Sequence, residues 1–173
     1  MLENGSNRVA KQLKNALEHL PSGVFKKDVA KKAHVTPSAL SQYANSTNKM
    51  GIEVAKPIVD FIGNMKLNYS VARQNFNILS FKDDGKVKDD LFAATIDQQQ
   101  QEKERIEIQA AAFASAIKPD RQKTSKDWEN INRMNKEFPE EISSELTMWF
   151  SWCVYNHEDP MELIKKVNEK IGG

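Results

Sequence analysis

Apolar residues recur every three or four positions along most of the chain, which is the spacing of helices that bury one face. Residues 8–20 show this spacing clearly, and Pro21-Ser22-Gly23 then supplies a stop. No segment has the strict alternation that is typical of a strand. The pattern therefore predicts an all-α protein whose first part contains five short helices, at 8–20, 24–33, 36–45, 54–65 and 68–79.

The third of these helices has the clearest start. Thr36 is a suitable N-cap because its hydroxyl accepts a hydrogen bond from a free backbone N–H, and Pro37 suits the first helical position, where no N–H bond is lost. We expect Pro57 to lie in the first turn of the fourth helix or to kink it. Asn68 or Ser70 is expected to open the fifth helix.

A polar and charged segment at 81–88 interrupts the pattern and predicts a linker, which places the first domain at 1–80. Residues 89–118 contain neither Gly nor Pro, so they predict one long connecting helix that ends at Pro119.

The remaining segment, 119–173, predicts a small C-terminal helical domain for oligomerisation or for binding a partner. We expect Thr124 and Asp127 to form a capping box at its start, and new helices to begin at Pro139 and at Pro160. The three Trp residues of the chain all fall in this segment and are expected to fill a core.

The long helix carries a largely apolar stripe in a heptad register, with spacings that alternate between four and three. The stripe consists of Phe92, Ile96, Gln99, Lys103, Ile106, Ala110, Phe113 and Ile117. Either its apolar ends pack on domains of the same chain while Gln98 to Arg105 crosses solvent, or the helix self-associates as a coiled coil. The candidate contacts to an oligomer or partner are Phe92, Ile96, Ile106, Phe113, Ile117 and Trp149.

The net charge of +1 conceals an uneven distribution. Residues 1–80 carry eleven Lys and Arg against five Asp and Glu, whereas 81–118 carry six against eight and 119–173 carry eight against eleven. A basic first third followed by an acidic remainder is typical of a module that meets phosphate joined to one with another task. A solvated charged face produces similar counts.

Length and composition exclude several classes of protein. The 173 residues are too few for a large multidomain enzyme. No apolar run approaches the ~18 residues that a membrane span needs, and the first residues lack the apolar core of a secretory signal. We therefore expect a cytoplasmic protein that does not enter a membrane.

Candidate residues for catalysis or for metal binding are few. Cys153 and His157 lie four residues apart, but no other Cys or His is close in sequence to complete a tetrahedral zinc site. Cys153 is more simply a buried free thiol. His19 and His34 have no evident partner for acid–base chemistry. We expect no enzyme activity, no metal and no cofactor.

Residues 26–45, KKDVAKKAHVTPSALSQYAN, have the pattern of two helices joined by a tight turn. This window resembles the helix-turn-helix of the lambda repressor and Cro superfamily, also called the XRE type, which is common in phage and bacterial regulators. Val29 and Ala30 stand where that family places an apolar residue followed by a small one, so that the two helices can cross closely. Val35, Leu40 and Tyr43 stand at the apolar positions that hold the second helix on the first in that family.

The resemblance covers residues 7–80 and implies a five-helix repressor-like DNA-binding domain. It departs from the family pattern at the turn, where His34 replaces the usual glycine and must accept a left-handed conformation. Gln42 stands where the family reads bases, and Asn45 stands where many members contact phosphate. The short polar face of the third helix independently predicts Ser38, Ser41 and Gln42 as the base-reading residues. The predicted contacts to the DNA backbone are Lys26, Lys27, Thr36, Asn45, Thr47 and Lys49.

These features together predict a sequence-specific transcriptional regulator, a phage or mobile-element repressor that binds double-stranded DNA as a dimer or higher oligomer. The alternative is a protein-interaction module, such as an antirepressor or a replication adapter, that acts through the C-terminal helices. A helix-turn-helix used for protein contact, or a merely solvated polar helix, also fits residues 26–45.

Overall fold

A computed structural model describes residues 5–83 and 90–171, and within these ranges it contains eight α-helices and no strand. The all-α prediction is confirmed. A short 3₁₀ turn at Asp120–Gln122 precedes the seventh helix. The helices are α1 Gly5–Glu18, α2 Lys26–Lys32, α3 Pro37–Ala44, α4 Ile52–Ile62, α5 Met65–Phe76, α6 Leu91–Ala116, α7 Ser125–Tyr155 and α8 Pro160–Ile171.

The chain divides into two compact units, one formed by residues 1–80 with 159–173 and the other by 81–158. The division after Ser80 lies where the sequence pattern placed the end of the first domain. Helix α8 differs from the expectation, because it belongs to the first unit and not to a C-terminal domain at 119–173. Its Met161 Sδ lies 3.4 Å from the side-chain nitrogen of Asn68 in α5.

The first unit has one apolar core, to which each of α1 to α5 contributes. Helix α1 packs against α3 and α5, and α2 packs against α3 and α4. Burial of one large aliphatic side chain contributes about 1.5–3 kcal/mol, so this shared core holds the short helices together. Its fully covered side chains include Leu13, Val29, Leu40, Ile58 and Leu67.

Helices α4 and α5 both begin earlier than predicted. Helix α4 begins at Ile52, so Pro57 lies inside the helix and beyond its first turn. Gly63 ends α4 with φ 67°, and Asn64 caps α5 by accepting a hydrogen bond of 3.0 Å from the N–H of Leu67. The prediction that Asn68 or Ser70 opens α5 is wrong, because a strong cap stands earlier in the chain.

The second unit is built on the packing of α6 against α7. The sequence predicted a new helix at Pro139, but α7 runs through this residue and is 31 residues long. Glu137 and Glu141 on either side of Pro139 are buried, and Glu141 bonds to α6. Continuous packing along α6 therefore outweighs the lost hydrogen bond and the steric cost of the proline, about 3 kcal/mol.

The predicted linker at 81–88 is only partly described. Phe81 is buried in the second unit, where its ring centroid lies 5.6 Å from that of Phe150. The backbone N–H of Lys82 donates to Thr147 Oγ1 at 2.8 Å. The first linker residues thus pack in the second unit, and 84–88 lie outside the described residues.

The Trp side chains do not all fill a core as predicted. Trp149 is half-buried and packs on Phe150 at 5.4 Å between ring centroids, whereas Trp128 and Trp152 are 44% and 53% exposed. The difference follows from geometry, since a helix with one main neighbour buries one side and leaves the others open. Cys153 is buried, as predicted.

Candidate nucleic-acid interface

The turn between α2 and α3 has the backbone geometry that the helix-turn-helix pattern requires. His34 adopts φ 54°, the left-handed conformation expected of it. The N–H of His34 donates to the carbonyl oxygen of Lys31, and that of Val35 donates to Ala30 at 3.0 Å. This pair of bonds is a Schellman motif, which ends α2 and directs the chain into α3.

The apolar positions of the two helices are buried as the pattern predicts. Val29 and Ala30 of α2 are fully covered, and so is Leu40 of α3. Val35 and Tyr43 are half-buried and pack on the same core. One side of α3 is thereby fixed on the first unit, and its opposite side is left to solvent.

The start of α3 is capped as expected. The hydroxyl of Thr36 accepts a hydrogen bond of 3.1 Å from the N–H of Ala39, and Pro37 is the first helical residue. Thr36 and Ser38 are exposed beside this end. The positive end of the helix dipole is therefore accessible to an anion.

The solvent side of α3 is formed by short polar residues, among them Ser38, Ser41 and Gln42. The hydroxyl of Ser41 donates to the carbonyl oxygen of Pro37 at 3.0 Å, so it offers mainly its acceptor lone pairs outward. Gln42 Oε1 accepts a hydrogen bond of 2.8 Å from Asn48 Nδ2. The amide nitrogen of Gln42 stays available as a donor.

A second Schellman motif ends α3. Asn45 is the C-cap, and Ser46 takes the left-handed conformation with φ 60°. The N–H of Thr47 reaches back to the carbonyl oxygen of Gln42 at 3.0 Å. Asn45 and Thr47 are both exposed next to the solvent side of α3.

The electrostatics of this surface favour an anionic ligand. No Asp or Glu occurs between Asp28 and Glu53. The Asp28 carboxylate is already occupied, because it accepts a hydrogen bond of 3.0 Å from the N–H of Phe25 at the start of α2. Helix α2 and the loop after α3 carry exposed lysines that no described carboxylate pairs: Lys26, Lys27, Lys31, Lys32 and Lys49.

The structure thus places all nine sequence-predicted DNA-contact residues on exposed positions of α2, α3 and the segments directly before and after α3. Sequence reasoning missed Asn48, which fixes the Gln42 amide. Its only signal was its place in the polar loop Asn45-Ser46-Thr47-Asn48, and the loop geometry that brings it back to α3 depends on the left-handed Ser46.

The second predicted surface, the stripe on α6, is also exposed. Phe92 and Ile117 at its ends are 82% and 84% exposed, and Ile96, Ile106 and Phe113 are more than half exposed. Trp149 is on α7 and is half-buried, unlike the other five predicted contacts.

One of the two arrangements predicted for α6 is wrong. The segment Gln98 to Arg105 does not cross solvent, since Gln101 Oε1 is buried and Arg105 binds Glu141 of α7. The two bonds of this pair measure 2.6 Å at Nε and 3.1 Å at Nη2. The polar middle of α6 is therefore an internal contact of the second unit.

A second ion pair links the residues just after α6 to the start of α7. Lys118 donates to Asp127 at 2.6 Å, and the backbone N–H and hydroxyl of Thr124 donate to the same carboxylate. The Lys118 bond, followed by those of Thr124, holds the pKa of Asp127 well below its usual range. Thr124 and Asp127 also form the predicted capping box of α7.

The described residues offer no other evident chemical site. They contain no group of three or more His, Cys, Asp or Glu side chains placed to hold a metal ion. Cys153 is buried, whereas His157 is exposed in a left-handed turn. Within the same residues, no helix has both the length and the apolar character needed to cross a bilayer.

Comparison of the chain with models of protein families, with curated proteins and with solved structures finds no match.

Proposed function

We propose that this chain is a sequence-specific DNA-binding regulator of the lambda repressor and Cro type, and that α3 is its recognition helix. The observation that carries the proposal is the exposed polar side of α3 within a stretch free of carboxylates. Such a helix, supported by buried Leu40, fits the major groove of duplex DNA. In this proposal, α1 to α5 form the five-helix domain of that family.

Gln42 is the principal base reader in this proposal. Its Nε2 is free to donate, and Oε1 keeps a second lone pair beside the bond from Asn48. A Gln amide that donates to adenine N7 and accepts from N6 discriminates by about 1–3 kcal/mol. Ser38 and Ser41 either donate or accept, so they discriminate less between bases.

The lysines position the domain without reading sequence. Lys26, Lys27 and Lys49 contact phosphates together with Thr36, Asn45 and Thr47, and each phosphate neutralised adds to the salt dependence of binding. The positive end of α3 adds a further attraction for phosphate. These contacts set the register in which Gln42 meets the base edges.

A single helix-turn-helix binds weakly, so the regulator acts as a dimer or higher oligomer with one α3 in each of two successive major grooves. Bound at a promoter of a phage or mobile element in the cytoplasm, it represses by excluding polymerase. The exposed apolar side chains of α6, such as Ile106 and Phe113, support the oligomer.

The exposed apolar side chains of the second unit, including Trp152, favour one rival, a protein-interaction module that acts through this unit. Deletion of the C-terminal half is a poor discriminator, because α8 belongs to the first unit. Point variants separate the two functions better. Gln42→Ala affects only the regulator function, and Trp152→Ala affects only the interaction function.

Selection of bound duplexes from a random pool tests the proposal, because it does not require the operator to be known. The full chain is expected to enrich one motif, with two half-sites about one helical turn apart. Gln42→Ala is expected to lose the preference at one or two positions of each half-site. Enrichment of no motif by the folded wild-type chain contradicts the proposal.

A further inference from the structure

Helix α6 carries two stripes in heptad spacing, and the structure buries the less apolar one. The inner stripe lies against α7 and consists of Ala94, Gln98, Gln101, Arg105, Ile108, Ala112 and Ser115. The outer stripe is Phe92, Ile96, Gln99, Lys103, Ile106, Ala110, Phe113 and Ile117. The two are offset by two residues, which places the outer stripe about 160° around the helix from the inner one.

The usual arrangement of a helix in a single folded unit is thereby reversed. Small and polar side chains, such as Ala112 and Ser115, are buried, whereas Phe92 and Ile117 are 82% and 84% exposed. A row of large apolar side chains left in water costs free energy that burial would recover. Each of the five large apolar side chains of this row is more than half exposed.

We infer that the outer stripe pairs antiparallel with the outer stripe of a second copy of this chain. In this register Phe92 meets Ile117 of the second copy, and Ile96 meets its Phe113. Each of the four end layers then combines one aromatic ring with one branched aliphatic side chain. In the middle, Lys103 lies beside Ile106 of the second copy, with its ammonium directed to solvent.

Charge complementarity selects the antiparallel direction. In a parallel pair, Lys103 of one copy faces Lys103 of the other. Glu102, at a flanking position, then faces Glu107 of the other helix, so like charges meet at the centre. In the antiparallel pair Glu102 faces Gln109 and Gln100 faces Glu107. Each carboxylate then meets an amide that can donate to it, and no two like charges flank each other.

The area available agrees with a stable pair. Two Phe and three Ile side chains of the stripe, each more than half exposed, present on the order of 600 Å² per copy at roughly 200 Å² for a fully exposed aromatic side chain. Two copies reach about 1,200 Å², the lower limit of specific protein interfaces. A smaller partner would leave one end of the stripe uncovered.

This inference extends the proposed function by naming the interface through which the regulator dimerises.

Sedimentation equilibrium of the full chain without DNA tests the pairing. We expect a dimer at micromolar concentration. Ile106→Glu and Phe113→Glu are expected to raise the dissociation constant by at least about tenfold, which corresponds to about 1.4 kcal/mol. The matched control is Val154→Glu, which changes a 68% exposed side chain of α7 and is expected to leave the dimer intact. Circular dichroism verifies that each variant keeps its helices.

Disulfide crosslinking tests the direction. Mixed Phe92→Cys and Ile117→Cys proteins are expected to form a disulfide-linked pair, whereas Phe92→Cys alone forms none, because its two copies are about 38 Å apart. The wild type, with only the buried Cys153, gives the background.

Each result either supports or overturns the inference. A monomeric wild type, or a dimer that survives both Glu variants, overturns the pairing, and a disulfide in Phe92→Cys alone overturns the antiparallel direction. Because these experiments contain no DNA, their failure leaves the DNA-binding proposal standing. A chain that dimerises through the outer stripe but binds no DNA would support the pairing and contradict the DNA-binding proposal.

Discussion

The side-chain amide of Asn48 donates a hydrogen bond of 2.8 Å to Oε1 of Gln42, across the loop that ends α3. This contact fixes the orientation of the amide that we propose as the base reader. It makes Asn48 a positioning residue, whose own contact with DNA is not required for its effect.

Asn48→Ala is therefore expected to weaken binding to the selected duplex and not to a scrambled one. The lost bond contributes about 1 kcal/mol, or about fivefold in affinity, because Gln42 must then be ordered on binding. Competition binding on both duplexes measures this. Asn132→Ala, an exposed residue of α7, is the control and should change neither affinity. An equal loss on both duplexes would instead assign Asn48 to phosphate contact.

Lysine variants are expected to act on all sequences alike. Lys49→Gln should weaken binding to the selected and the scrambled duplex by the same factor and reduce the slope of log affinity against log salt by about 1. Lys126→Gln, which removes an exposed charge of α7, serves as the comparison and should leave the slope unchanged. A change that affects only the selected duplex would contradict a purely positioning role for Lys49.

The left-handed conformation of His34 leads us to expect that glycine at this position stabilises the protein. His34→Gly should raise the free energy of unfolding by up to about 1 kcal/mol, because glycine adopts φ 54° without steric cost. His34→Val should lower it, since a β-branched residue tolerates this conformation poorly. Urea unfolding of both variants measures the difference, and equal stabilities would argue against the observed turn.

The pair formed by Arg105 and Glu141 holds the middle of α6 on α7. Glu141→Ala leaves the guanidinium half-buried without its partner and is expected to cost about 3 kcal/mol in the unfolding of the second unit. The double change Arg105→Met with Glu141→Leu should cost less, because no unpaired charge remains. Chemical denaturation followed by Trp fluorescence reports on this unit. A double variant that is less stable than Glu141→Ala would contradict this prediction.

Asp127 predicts a pH dependence on the acid side. Its pKa in the folded state lies below the usual value of about 3.9, so its contribution to stability is fully present above that pH. The contribution is lost as the pH falls toward the lowered pKa. Asp127→Asn should reduce stability at neutral pH and flatten its decline at acid pH. An unchanged decline would show that other carboxylates cause it.

Local signals in the sequence predicted the first unit well. Thr36 and Pro37 define the start of α3, and the burial of Val29 and Leu40 follows from their spacing. The missed end of α4 and the missed start of α5 have one cause. Gly63 ends one helix and Asn64 caps the next. The spacing of apolar residues does not reveal a helix end and a helix start on consecutive residues.

The second unit was harder to predict because tertiary contacts determine which sides of its helices are buried. The apolar pattern selected the outer stripe of α6, whereas α7 packs on the inner stripe through polar contacts such as Arg105 with Glu141. Helix breaking at Pro139 was overridden by the same packing. The bond from Asn48 to Gln42 depends on a loop conformation that residue types alone do not specify.

The most direct test of the account is fluorescence anisotropy of the full chain with the selected duplex and a scrambled duplex, at several salt concentrations. We expect tighter binding to the selected duplex, a discrimination that Gln42→Ala reduces by about 1–3 kcal/mol, and affinity that falls steeply with salt on both. The absence of binding to either duplex at low salt, by a protein whose helices are intact, would contradict DNA recognition by α3.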